Sequence, residues 1–227
     1  MTKAPLHIVI LGATGAVGTE VVRALVAMDH VAQITLLTRR PFTALQSDKI
    51  TEHHVDPLDP DSYAQHLAGH SVAICTLGVG AVSSVSRAEF RRVDHDAVVA
   101  FGSACDRAGI AQFQLLSSVG ASPTSGVFYL RSKGELEAAL KAMNFERLSL
   151  FHPSNILTPE NRYGIGQALV LALWPKLTPL LAGPLRKYRG IKVETLGRAI
   201  AQNSGLGKTG AEVLEWDDFQ RLASVRA

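Results

Sequence analysis

The sequence has little cysteine, little aromatic content and no concentration of charge. Its two cysteines, Cys75 and Cys105, lie thirty residues apart with no CxxC between them. That excludes a disulfide framework and fits a reducing compartment. The formal net charge is only +3, aromatics make up 6%, and the basic residues are scattered in ones and twos. Without a basic stripe and interleaved aromatics, no nucleic-acid surface is expected. There is no HExxH. His53 and His54 would point to opposite faces of a strand, and Gly69 separates His66 from His70, so no metal site is expected. The one long apolar stretch, residues 165–183, is broken by Lys176 and two prolines, which argues against a membrane span. The N-terminal apolar run stops at Gly12 and carries no A-x-A site, so it reads as a strand and not a signal peptide. A cytoplasmic location is the corresponding expectation.

What remains is a globular composition, with 47% hydrophobic and 19% charged residues over 227 positions, enough for one substantial core. Short β-branched runs at 6–11, 33–38, 50–55, 72–77, 112–117 and 147–151 alternate with amphipathic stretches near 16–28, 60–68, 87–108 and 128–143. Asp59-Pro60 marks a helix start, and Gly69 and Gly109 mark helix ends. Apolar strands joined through helices imply an α/β fold with a doubly wound parallel sheet. From about 155 the rhythm changes: residues 156–190 read as a proline-rich apolar insertion capping a cleft. Helices at 193–202 and 215–223, with a possible edge strand at 211–214, close the chain. The expected organisation is therefore one domain, 1–227, with a small C-terminal substrate lid.

"VILGATGAVGTEVV" places Gly12, Gly15 and Gly18 between the first strand and the first helix. Glycines there allow a tight turn and bring backbone N–H groups and a helix N-terminus to a pyrophosphate. A dinucleotide on the loop Gly12, Thr14, Gly15, Ala16, Val17 and Gly18 is the expectation. The second strand ends in Thr38, Arg39 and Arg40 with no acid, which suits the 2′-phosphate of NADP(H) better than the ribose hydroxyl of NAD. Asp56 ends the third strand, where its carboxylate can accept from an adenine amino group. "CTLGVG" brings Thr76, Leu77 and Gly78 to the same strand edge, with small residues that let backbone and ligand approach.

Tyr129 and Lys133 in "VFYLRSKGELEAAL" share a helix face. The preceding strand ends in Ser117 and Ser118. Serine, tyrosine and lysine at a dinucleotide cleft form a proton-transfer set, in which lysine lowers the phenol's pKa and serine holds a substrate oxygen. The same Tyr/Lys spacing recurs at Tyr188 and Lys192, but Gly190 interrupts it and no serine-bearing strand precedes it.

"GATGAVG", "SSVGA", "YLRSKGELEAAL", "FHPSNIL", "RRVDHDAVVAFGSACDRAG" and "VETLGRAI" together resemble the short-chain dehydrogenase/reductase superfamily. The likeness is to its atypical branch and, within that, to Tat-interacting-protein-like oxidoreductases. The resemblance implies a Rossmann sheet of order 3-2-1-4-5-6, NADP(H) with Pro153 among its contacts, and a catalytic set of Ser118, Tyr129 and Lys133. Ser117 is the alternative serine. The segments before Tyr129 and after Asn155 are short for a nucleotide-sugar pocket. An NADPH-dependent reductase of a small, apolar carbonyl substrate is expected, acting without nucleic acid or membrane and as a possible homodimer or with a protein partner. A non-catalytic NADP(H) sensor, or an epimerase or dehydratase with a retained cofactor, are the alternatives.

Overall fold

Side-chain alternation along the first strand determines both faces of the sheet. In β1 (Leu6–Leu11), Ile8 and Ile10 enter one buried cluster while Val9 and Leu11 enter the other, as a period of two requires. The computed structural model describes residues 5–80, 85–158 and 181–225. β2 (Val31–Thr38), β3 (Ile50–His54), β4 (Val72–Cys75), β5 (Gln112–Leu116), β6 (Arg147–Phe151) and β9 (Gly210–Leu214) join β1 in a seven-stranded sheet of order β3-β2-β1-β4-β5-β6-β9. Every pairing is parallel. The expected order is thus present, with the anticipated edge strand added beyond β6.

The helices are α1 (Ala16–Val26), α2 (Arg87–Arg91), α3 (Ala97–Arg107), α4 (Phe128–Lys141), α5 (Val193–Ser204) and α6 (Trp216–Ala223). α1, α5 and α6 cover the face of Ile8 and Ile10 through Val21, Leu25, Leu196, Ile200 and Phe219. α3 and α4 cover the opposite face through Val98, Phe101, Leu136 and Leu140. Val21, Leu25, Leu196, Phe101 and Leu140 are fully buried, each worth about 1.5–3 kcal/mol relative to exposure. Covering both faces in this way leaves the carboxyl ends of the strands as the open edge of the sheet.

Three local features differ from the sequence expectation. The helix expected at 60–68 is two 3₁₀ turns, Pro60–Ser62 and Ala64–His66. Asp59 does cap the first, accepting from the Asp61 N–H at 3.1 Å, but the Ser62 hydroxyl donates to the Asp59 and Asp56 carbonyls at 2.6 and 3.0 Å. That local bonding competes with a regular helix. The helix expected at 87–108 runs on through a π-helical turn, Arg92–Asp96, between α2 and α3. A short parallel pair, β7 (Ile156–Leu157) with β8 (Ile191–Lys192), ties together the two ends of the expected lid. Residues 159–180 of that lid lie outside the described residues. Among the described residues, no helix is long and apolar enough to cross a membrane.

At the other end of the sheet, the first residue of β6, Arg147, is 2% exposed. Its guanidinium donates to Glu212 of β9 at 3.0 and 2.5 Å, and to the Asn203 and Leu206 carbonyls of the α5 end at 2.8 and 2.9 Å. This buried hub fixes α5 and β9 to the sheet at the edge away from the cleft.

α4 packs tightly onto the loop before it. A Cβ on Gly134 would overlap the backbone of Ser122 and Pro123. Gly134→Ala in a free helix would stabilise by roughly 0.5–1 kcal/mol. Here overlap with backbone reverses the sign, and urea unfolding should show a loss of about 1–3 kcal/mol.

Candidate functional site

Two adjoining cavities, of about 470 and 480 Å³, open along the carboxyl ends of the strands. They share Gly15, Ala16, Thr76, Leu77, Gly78 and Gly80 as a common wall. They therefore form two lobes of one cleft, divided by the glycine loop and the β4 exit.

The first lobe is lined by Gly12, Thr14, Gly15, Ala16, Thr38, Arg39, Arg40, Asp56, Thr76, Leu77 and Gly78, all expected from sequence, and also by Glu89 and Arg92. Gly12 has φ +97°, in the region that favours glycine. Gly18 lines neither lobe. It lies beneath the loop, where a Cβ would overlap the Gly12 carbonyl oxygen, so its task is to let α1 come close. Gly15 is the N-cap of α1 and offers no side-chain cap, and the first turn carries no acid. The N-terminal amides are thus left to an external anion.

Glu52 positions the arginine corner. Its Oε1 accepts from the Thr38 hydroxyl at 2.5 Å and from the Phe42 N–H at 2.8 Å, clamping both sides of Arg39-Arg40. Asp56 is exposed and accepts from the Leu58 N–H at 2.9 Å.

The second lobe holds Val17, Asp94, Leu116, Ser117, Tyr129, Lys133, Ser154, Asn155, Ile156 and Thr158 beside the shared wall. Tyr129 is half-buried, with its ring edge-on to Phe90 at 5.6 Å. Lys133 is buried, and its ammonium lies 3.1 Å from Asp94 Oδ1. Burial alone would lower its pKa, but the Asp94 carboxylate and Tyr129 more than offset this and hold it above the ordinary lysine value. On β4, burial pushes the Cys75 thiol up to about 12.

The serines separate. Ser117 lines the lobe, yet its hydroxyl donates to Glu137, which also bonds His152 Nε2 at 2.7 Å. Ser118 has only a 3.5 Å contact to the Val119 carbonyl and does not line the lobe. Pro153 also stays off the cavity wall; its carbonyl accepts from the Val119 N–H at 3.0 Å, while the next residue, Ser154, lines the lobe.

Sequence reasoning missed Asp94, Arg92 and Glu137. Glu137 had a signal: Tyr129, Lys133 and Glu137 form one i, i+4 stripe. In the second copy of the spacing the tyrosine and the lysine do not share a helix. Tyr188 ends a 3₁₀ helix and Lys192 lies in β8. His53 stacks on His66, with ring centroids 3.7 Å apart.

Glu52→Ala should leave the sheet folded but release the corner. Loss of two bonds to a carboxylate, at roughly 1.5–3 kcal/mol for a charged partner, should appear as weakened dinucleotide binding by titration calorimetry with a native circular dichroism spectrum.

A family model described as NAD(P)H-binding matches residues 12–148. The chain is 31% identical over 196 residues to protein HTATIP2 of Rattus norvegicus, covering 86% of this chain and 79% of that one. It is 26% identical over 225 residues to the mitochondrial protein FMP52 of Candida albicans, covering 95% and 97%. Among solved structures, the UDP-N-acetylglucosamine 4-epimerase of Methanobrevibacter ruminantium M1 shares the fold with a TM-score of 0.69 at 14% identity, over 93% of this chain and 77% of that one. The glycine cradle, the parallel sheet order and these relationships agree: the chain belongs to the NAD(P)H-binding Rossmann family, with the HTATIP2- and FMP52-like atypical short-chain dehydrogenase/reductases.

Proposed function

We propose that the protein is an NADPH-dependent reductase of a small carbonyl compound. The observation that carries this reading is that Tyr129 and Lys133 open on a lobe sharing a wall with the glycine loop. A proton donor is thereby set against the cofactor cleft. The residues fit a dinucleotide: the uncapped α1 terminus and Gly12–Gly15 suit its pyrophosphate. Arg39 and Arg40, with Arg92 beside them, suit a 2′-phosphate. When bound, NADPH supplies hydride.

The chain's own residues then have separate tasks. The Tyr129 hydroxyl donates the proton that the substrate oxygen needs, and the Lys133 ammonium stabilises the phenolate left behind. Lys133, on the lobe wall, would also donate to the ribose hydroxyls of a bound cofactor. Of the two serines that could hold the substrate oxygen, Ser117 lines the lobe but gives its hydroxyl to Glu137, while Ser118, the choice that the resemblance implies, lies off the lobe wall. Of the expected lid, only its described ends bear on the site: Ile156 and Thr158 lie on the lobe wall, and the β7–β8 pair joins the two ends. A shared lobe of about 480 Å³ suits a small substrate.

Carbonyl compounds should be screened for NADPH consumption with purified protein. With an active compound in hand, Tyr129→Phe should cut turnover by about 10²–10⁴-fold with little change in NADPH affinity. Wild-type turnover in that variant would remove Tyr129 from the reaction and favour a sensor. Arg39→Ala or Arg40→Ala should weaken NADPH by about 1–3 kcal/mol and barely change NADH. Equal wild-type affinity for the two cofactors would overturn the NADPH preference.

A further inference from the structure

The end of β5 sends Ser117 to the wall of the second lobe, and the one proton of its hydroxyl is already taken. That proton goes to Oε1 of Glu137, a buried carboxylate of α4. The other neighbours of Glu137 also have protons to give. His152 Nε2 lies 2.7 Å from the same oxygen, and the Lys141 ammonium lies 3.9 Å from the second one. An ionised carboxylate accepts hydrogen bonds and donates none, so Glu137 is the acceptor for serine and histidine alike. A serine hydroxyl has one proton and two lone pairs. With its proton directed at Glu137, Ser117 offers the lobe lone pairs only. The rest of the wall is less selective. The side chains of Ser154, Asn155 and Thr158 can each donate and accept, while those of Leu116 and Ile156 can do neither. Asp94, a carboxylate on the same wall, has its oxygens engaged by the Lys133 ammonium at 3.1 Å and the Val79 N–H at 2.8 Å.

We propose that Ser117 sets the substrate class of this lobe: it accepts a hydrogen bond from the substrate, so the compound reduced carries a hydroxyl or N–H group as well as its carbonyl. The proposal rests on the reductase reading and deepens it. In that reading the Tyr129 hydroxyl gives its proton to the carbonyl oxygen. Ser117 has no proton to spare for the same oxygen, and two oxygens facing each other with no proton between them repel. A substrate hydroxyl in that place satisfies the serine. A methyl group there covers the serine oxygen with an apolar surface, and its remaining lone pair goes without a partner. Tyr129 and Ser117 therefore read two different features of one small molecule, the first by donating and the second by accepting.

Two measurements test this. In the first, the Ser117 hydroxyl proton is observed by ¹H NMR in the ligand-free protein. Held on Glu137, it should give a downfield resonance protected from exchange with water and absent from Ser117→Ala. A hydroxyl that exchanges freely overturns the proposal. In the second, the protein and NADPH are given hydroxyacetone and its homologue with the hydroxyl one carbon further out. Each is compared with the ketone in which methyl replaces the hydroxyl, and with its own methyl ether, which withdraws electrons similarly but has no donor. For at least one hydroxyketone, kcat/KM should exceed both comparisons by about tenfold, the equivalent of one hydrogen bond. Ser117→Ala should bring those ratios to within about twofold. Wild-type ratios near one for both hydroxyketones overturn the proposal even if Ser117→Ala fails to fold, and so does a preference that survives in that variant. Binding of the same compounds to the NADP⁺ complex is followed by NMR titration. If the wild type reduces no carbonyl compound at all, the reductase reading is overturned, and the binding ratios, judged against the same tenfold, decide on the serine alone.

Discussion

Gly12 lies so close to the end of β4 that a Cβ there would sit 2.6 Å from both the Leu77 nitrogen and the Thr76 carbonyl carbon. The Thr76 hydroxyl closes the same gap by donating to the Gly12 carbonyl at 3.0 Å. This approach joins β1 to β4 at the point where the strand order reverses, between β2-β1 and β4-β5. The turn after β1 and the exit from β4 therefore become one wall, and both lobes use it. A side chain at Gly12 would push that wall apart and demand φ +97° of an L-residue, a conformation costly for anything but glycine. The cofactor-facing backbone, the Val79 amide and, through Asp94, the position of Lys133 all follow from that one contact.

The two edges of the sheet treat buried charge differently. Arg147 is surrounded by acceptors from β9 and α5, the fully bonded arrangement a buried ion requires. Lys133 has three donors and, among the described residues, one carboxylate at 3.1 Å. Breaking either pair by removing one partner should leave an uncompensated buried charge, at about 3–5 kcal/mol. Only at Lys133 does the incomplete bonding face a cavity. A structural ion pair satisfies itself, as Arg147 does; a lysine with donors left over towards a cleft is suited to receive oxygens from a ligand.

Patterns that repeat along the chain were legible in the sequence. Strand alternation, the glycine triplet and the strand ends gave a doubly wound parallel sheet and eleven of the first lobe's residues, Gly12 to Gly78, because a parallel strand's period and a βα turn are local properties; the strand order came from the family resemblance. Residues brought in by tertiary register were not. Asp94 and Asp96, two apart, lie off a shared face of a helix read from sequence, which disfavours a carboxylate pair but does not say which is buried; the π turn, in which Asp94 is the buried one, has no signature in "RRVDHDAV". Arg92 reaches the first lobe for the same reason, from a helix whose approach depends on how α3 packs on Phe113 and Leu136. Adjacent serines could not be told apart either, since the distinction is which hydroxyl Glu137 takes.

That division between the serines bears on how the site is built. Glu137 sits one turn beyond Lys133 on α4 and binds both Ser117 of the β5 end and His152 of the β6 end. It thereby locks the helix carrying Tyr129 and Lys133 to the two strands beneath it. The Phe90 ring, edge-on to Tyr129 at 5.6 Å, restrains the exposed side of the same helix. Tyr129 is thus held from α2, Lys133 from the π turn and Glu137 from the sheet, with three supports along one i, i+4 stripe. A stripe serving only to pack would be apolar, as Leu136 and Leu140 are on the neighbouring positions. Tyr129 and Lys133 line the second lobe, and the buried Glu137 holds their helix to the sheet beneath it, so the two cleft-facing side chains are placed by polar contacts from three different elements.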